Sequence, residues 1–260
     1  RNSVKVIVDS YDGTIKFYIT DKTDPIAMGY RTIFPTLFED INEEIPQDIA
    51  EHFVYPKYLY DVQAELLKTY HNVKYDVLYR NDDLWNFAKY NNTIISKSSG
   101  TTLSSYYTMI NNNDKDEVGL IQIYTPASKQ NLISYLVGTS EEGMNKLKLY
   151  KFSEDSNILG PMQLDNQIEQ DEAINVQIQA LNTTGTRITK NMVVVPVENT
   201  VLYVESIYQT MLNEESQIPV LKKIVVASGN KLAIGDNLEE ALNNLLSKEA
   251  SNIEVENTED

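Results

Sequence analysis

A short run of acidic and amide residues carries the clearest potential chemistry in this 260-residue chain. The segment "DNQIEQD" offers Asp165, Glu169, Gln170 and Asp171. Carboxylates and side-chain amides accept hydrogen bonds from hydroxyl-rich or cationic ligands. If the segment is helical, Asp165 and Glu169 lie one turn apart on one face, where like charges repel. We therefore take these four residues as the candidate binding site. The alternative, typical of charge runs, is a solvated helix face.

Few other residues could support catalysis or bind a metal. The chain contains no cysteine, which excludes thiolate nucleophiles, thiolate metal sites and disulfides within it. His52 lies in an acidic stretch, and His71 ends a predicted helix, where the helix dipole favours a cation. No hydrolase, zinc or phosphate-loop motif is present. The stretch "DKDEVGLIQIYT" fails the calcium-loop pattern because Thr125 stands where a bidentate glutamate is required. The sequence predicts no catalytic residue, no metal site and no cofactor.

Paired carboxylates leave one enzymatic alternative open. The stretches "FEDINEEIPQDIAE" and "DNQIEQDE" could supply the two carboxyl groups that glycoside hydrolysis requires across a cleft. With 38 acidic residues in the chain, such pairs also arise by chance. A deep pocket holding two carboxyl groups, at least one with a perturbed pKa, would favour a carboxylate-dependent hydrolase.

Composition limits the partners that the chain can bind. Its 22 basic and 38 acidic residues give a net charge of −16, which repels nucleic acid and anionic headgroups. Hydrophobic residues make up 42% of the chain, enough for a sizeable core. No segment approaches the roughly 20 apolar residues of a membrane-spanning helix. We therefore expect the chain to form a soluble globular region.

The pattern of elements predicts an α+β fold, mainly an antiparallel sheet with helices packed on it. Period-two alternation around Asp12-Gly13 predicts a β-hairpin at the start of the chain. Residues 24–90 are helix-rich, and "KYLYDVQAELLKTYHN" places Leu59, Val62, Leu66 and Tyr70 on one helix face. Residues 104–247 are sheet-rich, and the short strands over 186–234, joined by tight turns, favour antiparallel pairing and the most stable part of the fold.

Three further segments complete a single predicted domain over 1–247. "SKQNLISYLVG" is interpreted as a helix with Ser128 as its N-cap. "AINVQIQALN" fits either a strand or a helix, and we favour a helix because Gly185 follows as a stop. "GDNLEEALNNLLS" predicts an amphipathic closing helix, followed by a flexible acidic tail over 248–260.

Several long stretches resemble a known family. "GPMQLDNQIEQDEAI", "GTRITKNMVVVPVENTVLYVESIY" and "IPVLKKIVVASGNKLAIGDNLEEAL" resemble the last part of uncharacterised protein family 0182, a family of bacterial membrane proteins. The opening "VKVIVDSYDGTIKFYITDKTDPI" and the "YPKYLYDVQAELLKTYH" helix follow the same order. The chain departs from the family at Asp165-Asn166-Gln167, where members often read Glu-Ala-Arg. That departure removes the arginine of any anion pocket built there.

The resemblance implies a place for the chain in a larger protein. Family members carry several N-terminal transmembrane helices, followed by a large soluble region thought to face outward. The chain would be the C-terminal portion of that region, at the cell membrane on the extracytoplasmic side. No activity is established for the family, so the resemblance supplies no catalytic residue.

We therefore expect a non-enzymatic module that binds the protein's own N-terminal transmembrane region, an envelope ligand or a protein partner, but no nucleic acid. The alternatives are an envelope-glycan hydrolase and a purely structural domain that packs on the transmembrane part. A large exposed apolar patch would favour the structural alternative.

Overall fold

The structure is a computed structural model that describes residues 2–41, 45–94, 100–112, 115–141, 144–153, 156–197, 200–212 and 217–256. The predicted α+β class is confirmed. The helices are α1 (Pro25–Ile33), α2 (Gln47–Ala50), α3 (Lys57–Tyr70), α4 (Tyr75–Arg80), α5 (Pro161–Gln170), α6 (Glu172–Gln179) and α7 (Leu238–Glu256). The strands are β1 (Val4–Val8), β2 (Ile15–Ile19), β3 (Trp85–Phe87), β4 (Lys89–Tyr90), β5 (Thr101–Thr102), β6 (Tyr106–Asn112), β7 (Lys115–Pro126), β8 (Ser134–Glu141), β9 (Met144–Lys151), β10 (Thr186–Val197), β11 (Thr200–Met211), β12 (Val220–Ser228) and β13 (Lys231–Gly235).

Contacts divide the chain into two compact units. Unit 1 comprises Arg1–His71, Ser105–Gln122 and Tyr135–Tyr150, and unit 2 comprises Asn72–Ser104, Ile123–Ser134 and Lys151–Asp260. No described helix combines the length and the apolar character that crossing a bilayer requires. The prediction of one domain over 1–247 stays a prediction.

Unit 1 begins with the predicted hairpin. Strands β1 and β2 pair antiparallel from Val4 opposite Ile19 to Val8 opposite Ile15, which confirms it. The turn uses Gly13 at a φ of +76°, a conformation that costs glycine little because it lacks a Cβ. Strand β1 of this hairpin forms part of the lining of the unit 1 cavity described below.

The core of unit 1 forms around the inner face of α3. Tyr60 and Ala64 are fully buried, and the Tyr60 hydroxyl donates to the Leu136 carbonyl at 2.7 Å. The Tyr60 ring also meets the Tyr55 ring edge-on at 5.7 Å between centroids. Gly138 on β8 lies beneath these rings, and a Cβ there would come within 2.6 Å of Tyr60. The orientation of α3 is therefore fixed by a phenol anchored to a neighbouring strand.

Unit 2 is built on the four-stranded antiparallel sheet β10-β11-β12-β13, which confirms the strands predicted over 186–234. Helix α7 packs on one face through a cluster of Ile224, Val226, Ala233, Ala241 and Leu245. The α5–α6 segment is tied to the other face by hydrogen bonds. In these, Tyr203 donates to the Leu159 carbonyl, and Gln209 Nε2 donates to the Leu181 carbonyl at 2.7 Å. The sheet thus carries helical structure on both faces.

The prediction of a helix over "SKQNLISYLVG" is wrong. The segment contains strand β8, and Tyr135, Leu136 and Val137 are all buried. Side chains on both sides of a strand are buried only when both sheet faces are covered, so the local sequence shows no alternation. Pairing within the sheet therefore outweighed the local helix signal.

The other two segments agree better with the structure. Helix α6 confirms the interpretation of "AINVQIQALN", and Asp171 caps it by accepting from the Ile174 N–H at 3.0 Å. Helix α7 continues past Ser247 to Glu256, because Lys, Glu and Ala in that stretch favour helix. The side chains from 248 onward, and residues 257–260 of the predicted tail, lie outside the described residues.

Candidate functional site

The predicted binding segment lies on α5 and at its end. Gly160 is the N-cap and Pro161 occupies the first turn, where proline is tolerated. The Gly160 N–H donates to Gln163 Oε1 at 2.9 Å, which closes one side of a capping box. The helical spacing assumed for Asp165 and Glu169 is therefore correct.

The four predicted residues do not form one surface. Asp165 is fully buried, Glu169 is half-buried and Gln170 is exposed. Asp171 is engaged as the N-cap of α6. The structure thus separates the four, and the solvated-face alternative does not describe Asp165.

Asp165 belongs instead to a buried ionic cluster of Asp165, Lys190 and Glu205. The Lys190 ammonium pairs with Asp165 Oδ1 and lies 2.9 Å from Glu205 Oε1. Asn91 Nδ2 donates to Asp165 Oδ2 at 2.5 Å. None of the three charged side chains is more than 1% exposed. The cluster is sealed from bulk water.

The sheet register explains why Lys190 and Glu205 meet. Lys190 pairs with Ile207 and Glu205 pairs with Met192, so the two charged side chains are diagonal neighbours on one sheet face. The Lys190 N–H donates to the Asn92 carbonyl at 2.8 Å, which holds the segment after β4 beside β10. Helix α5 then brings Asp165 onto the same face.

The sequence analysis missed Lys190 and Glu205, although the strand pattern contains a signal for both. Along β10, Lys190 stands in the inward series with Ile188, Met192 and Val194. Along β11, Glu205 stands in the inward series with Tyr203 and Ile207. Opposite charges at inward positions of two consecutive strands indicate a buried ion pair.

Burial dominates the electrostatics of the cluster. It raises the pKa of Glu205 to about 7, opposed by the charge of Lys190 and reinforced by that of Asp165. Burial acts to lower the pKa of Lys190, but Glu205 and Asp165 outweigh it and raise that pKa overall. Burial also raises the pKa of Tyr90, and the nearby Glu205 charge adds to the rise. Two carboxylates therefore share one ammonium, and the raised pKa of Glu205 favours its protonated form.

The hydrogen bonding of Glu205 also favours its protonated form. Apart from the Lys190 ammonium, neither carboxylate oxygen of Glu205 has a hydrogen-bond partner among the described residues. That ammonium lies 2.9 Å from Oε1 and is shared with Asp165. A buried carboxylate with so few donors is costly, and protonation reduces that cost.

The cluster meets only one of the two conditions set for a hydrolase. It holds two carboxyl groups, one with a perturbed pKa, but both are sealed and cannot reach a glycan. Within the described ranges, no three histidine or acidic side chains lie close enough together to share a metal ion. The buried cluster is therefore not exposed to a ligand in solution.

A second feature lies on the outer face of α3. The helix buries Tyr60 and Ala64, whereas Val62, Leu66 and Tyr70 are 44%, 54% and 65% exposed. We call these three exposed residues the α3 stripe. The apolar face predicted for this helix exists, but most of it points away from the core of unit 1.

An open cavity lies at the start of α3, within unit 1. Its volume is about 540 Å³, and its lining includes Pro56, the N-cap of α3. Its lining is mainly apolar and comprises Val6, Ile7, Ile49, Phe53, Val54 and Pro56, with Lys5, Asp48 and His52. The cavity could receive an apolar side chain from a partner.

Comparison with known proteins identifies the family. Residues 1–181 match the model of Uncharacterised protein family (UPF0182). The chain belongs to this family. A UPF0182 protein of Caldicellulosiruptor saccharolyticus is 38% identical over 255 residues, which cover 96% of this chain and 27% of the relative.

Other UPF0182 relatives show the same proportions. One from Clostridium acetobutylicum is 36% identical over 94% of this chain and 27% of its own length. One from Microcystis aeruginosa is 36% identical over 96% of this chain and 26% of its own length. The chain thus spans about a quarter of the length of these relatives. No solved structure matches the chain.

Proposed function

We propose that this chain is a non-enzymatic interaction region of a longer, multi-pass membrane protein of the UPF0182 family, on the extracytoplasmic side of the membrane. In this proposal the α3 stripe binds the remainder of the same protein. The observation that carries it is the outward position of the Val62, Leu66 and Tyr70 side chains on a helix whose other face is fixed in the core.

The energetics of the stripe support a docking role. Fully burying a large apolar side chain contributes about 1.5–3 kcal/mol. Covering three such residues, each about half-exposed, contributes several kcal/mol. The adjacent cavity offers a further apolar recess of about 540 Å³.

The remainder of the same protein is the favoured occupant because of length. The relatives are close to four times as long as this chain, so most of each protein lies outside the region compared. A partner on the same chain is present at high effective concentration, and modest contact energy then suffices. The resemblance to membrane proteins adds transmembrane helices as the nearest candidates for that partner.

The sealed ionic cluster supports a non-enzymatic role. Its carboxyl groups are at most 1% exposed, which leaves no route for a substrate. Turnover of purified peptidoglycan or wall glycan by the chain would contradict this part of the proposal.

Cysteine labelling tests the docking, since the chain has no cysteine of its own. Leu66→Cys is introduced into the 260-residue chain and into the full-length protein in detergent, after any native cysteines outside this chain have been replaced. We expect the thiol to react at least tenfold more slowly with a maleimide in the full-length protein. Equal rates in the two forms would overturn the proposal.

Two control variants separate docking from general slowing. Glu65→Cys lies next to the stripe on the same helix, and Tyr11→Cys lies in the exposed hairpin turn. We expect Tyr11→Cys to react equally in both forms and Glu65→Cys to be slowed less than Leu66→Cys. If slowing at Leu66 requires added envelope material, the partner is an envelope ligand and the proposed occupant is wrong.

A further inference from the structure

Unit 2 contains a second cavity whose charge is unusual for this molecule. It has a volume of about 220 Å³ and lies among β3, the end of β7, the segment that follows β7, and the first turn of α5. Lys89 and Lys129 are among its lining residues, and no aspartate or glutamate is. A cavity lined only by positive charge stands out in a chain whose net charge is −16.

The two ammonium groups are available to a ligand. Neither Lys89 nor Lys129 forms an ion pair or a side-chain hydrogen bond with another residue of the described chain. Strand β4 alternates, so exposed Lys89 and buried Tyr90 point to opposite sides. The strand therefore directs Tyr90 inward while it presents Lys89 to the cavity.

Neutral donors surround the lysines. Asn86 and Thr125 are direct partners in the β3–β7 pairing, and both line the cavity. Thr125 is only 8% exposed, and its hydroxyl forms no hydrogen bond with a described residue. Gln130 lines the opposite part, where a Cβ on Gly160 would collide with its carbonyl group. This close approach holds the first turn of α5 against the cavity.

The start of α5 adds backbone donors. Its N-cap is a glycine, so no side chain caps the N–H groups of the first turn. Pro161 and Met162, in that turn, line the cavity, and Met162 carries the backbone N–H there because proline has none. Unpaired N–H groups and the positive end of the helix dipole both favour an anion.

We propose that this cavity binds a phosphate group, with Lys89 and Lys129 neutralising its charge and Thr125, Asn86 and Gln130 donating hydrogen bonds. Two ammonium groups match a dianion, and a phosphate monoester is mostly doubly charged above its second pKa of about 6. The volume equals about seven waters at roughly 30 Å³ each, which accommodates phosphate or a small phosphate ester. The inference is independent of the proposed docking of the α3 stripe.

A titration with inorganic phosphate tests the site. The 260-residue chain is labelled with ¹⁵N, and amide shifts are followed at pH 7.5 and constant ionic strength. We expect saturable shifts at Met162, Gln163 and Gln130 with a dissociation constant in the millimolar range or below. The double variant Lys89→Gln/Lys129→Gln should weaken binding at least tenfold.

A matched charge control makes the result specific. Lys16→Gln/Lys222→Gln removes two exposed lysines that do not line the cavity. We expect that variant to bind phosphate within twofold of the parent chain and all three proteins to melt within a few degrees of one another. Equal weakening in both double variants, or equal shifts with chloride, would show general screening and overturn the site.

A second ligand defines the source of the phosphate. Glycerol 3-phosphate should bind at least as tightly as inorganic phosphate, because the cavity has room beyond the phosphate group itself. The proposal would be overturned if neither ligand bound saturably at concentrations up to about 20 times a dissociation constant of 1 mM.

Discussion

Glu205 is the residue whose protonation links the interior of unit 2 to the surrounding pH. Its carboxylate is buried beside Asp165, and Lys190 is the ammonium that the two acids share. In the unfolded chain Glu205 titrates near 4.5, whereas in the folded chain its pKa is about 7. The folded state therefore holds the proton more tightly than the unfolded state.

This difference fixes the sign of a pH dependence. Between about pH 4.5 and 7 the folded state keeps a proton that the unfolded state has lost, so stability falls as pH rises. The rise of the Glu205 pKa from 4.5 to about 7 corresponds to a loss of at most about 3–4 kcal/mol from this residue.

We expect Glu205→Gln to remove most of that pH dependence, because the amide mimics the protonated acid and does not titrate. Urea unfolding at pH 5 and pH 8 measures it. The parent chain should lose stability between the two pH values by more than the variant does. A parent chain that is more stable at pH 8 than at pH 5, with the variant unchanged, would contradict the assignment.

The burial of Asp165 makes amidation at this position costly. Asp165→Asn removes one partner of a buried ion pair, which typically costs on the order of 3 kcal/mol. Glu169→Gln, one turn away on a half-buried position, should change stability by less than about 0.5 kcal/mol. Chemical denaturation of the two single variants distinguishes them, and equal stabilities would show that the buried pairing contributes little.

At the scale of elements, the sequence pattern predicted the helices and strands that local interactions determine. The hairpin, α3, α6 and strands β10 to β13 follow from alternation, helical spacing and turn residues. Strand β8 does not, because its burial on both faces arises from the sheet around it. The inner face of α3 was also misjudged, because Tyr60 carries a hydroxyl that reaches a carbonyl on β8 and so enters the core.

The register of β10 determines which of two neighbouring valines faces the core of unit 2. Val194 is 1% exposed, whereas Val195 is half-buried. Val194→Asp places a charge in the core and should cost more than about 4 kcal/mol, enough to prevent accumulation of folded protein. Val195→Asp should be milder. Thermal melting of both variants checks this order, and the reverse order would place the register one residue off.

At the scale of the whole molecule, the charge of −16 acts against compaction. Like charges repel over about 30 Å at 0.01 M salt but only about 8 Å at 0.15 M. We therefore expect the melting temperature to rise between these concentrations of sodium chloride. The rise should be equal in the parent chain and in Glu205→Gln, because a sealed cluster is screened little. A melting temperature that falls with salt would show that attractive surface pairs dominate.

The candidate site was only partly predictable for a physical reason. The sequence shows which residues carry charge but not which strands become neighbours. Asp165 was found because it lies in a visible acidic run, whereas Lys190 and Glu205 acquire meaning only through the pairing of β10 with β11. The proposed phosphate cavity likewise combines three separate segments of the chain, and none of them carries a motif.

The two faces of α3 carry a consequence for the evolution of the family. The inner face is constrained within this chain, since a side chain at Gly138 would collide with the Tyr60 ring. Under the proposed docking, Val62, Leu66 and Tyr70 are constrained by residues elsewhere in the longer protein. Residues on the inner face of α3 would then co-vary with other residues of this chain. Residues of the α3 stripe would co-vary with residues elsewhere in the full-length protein.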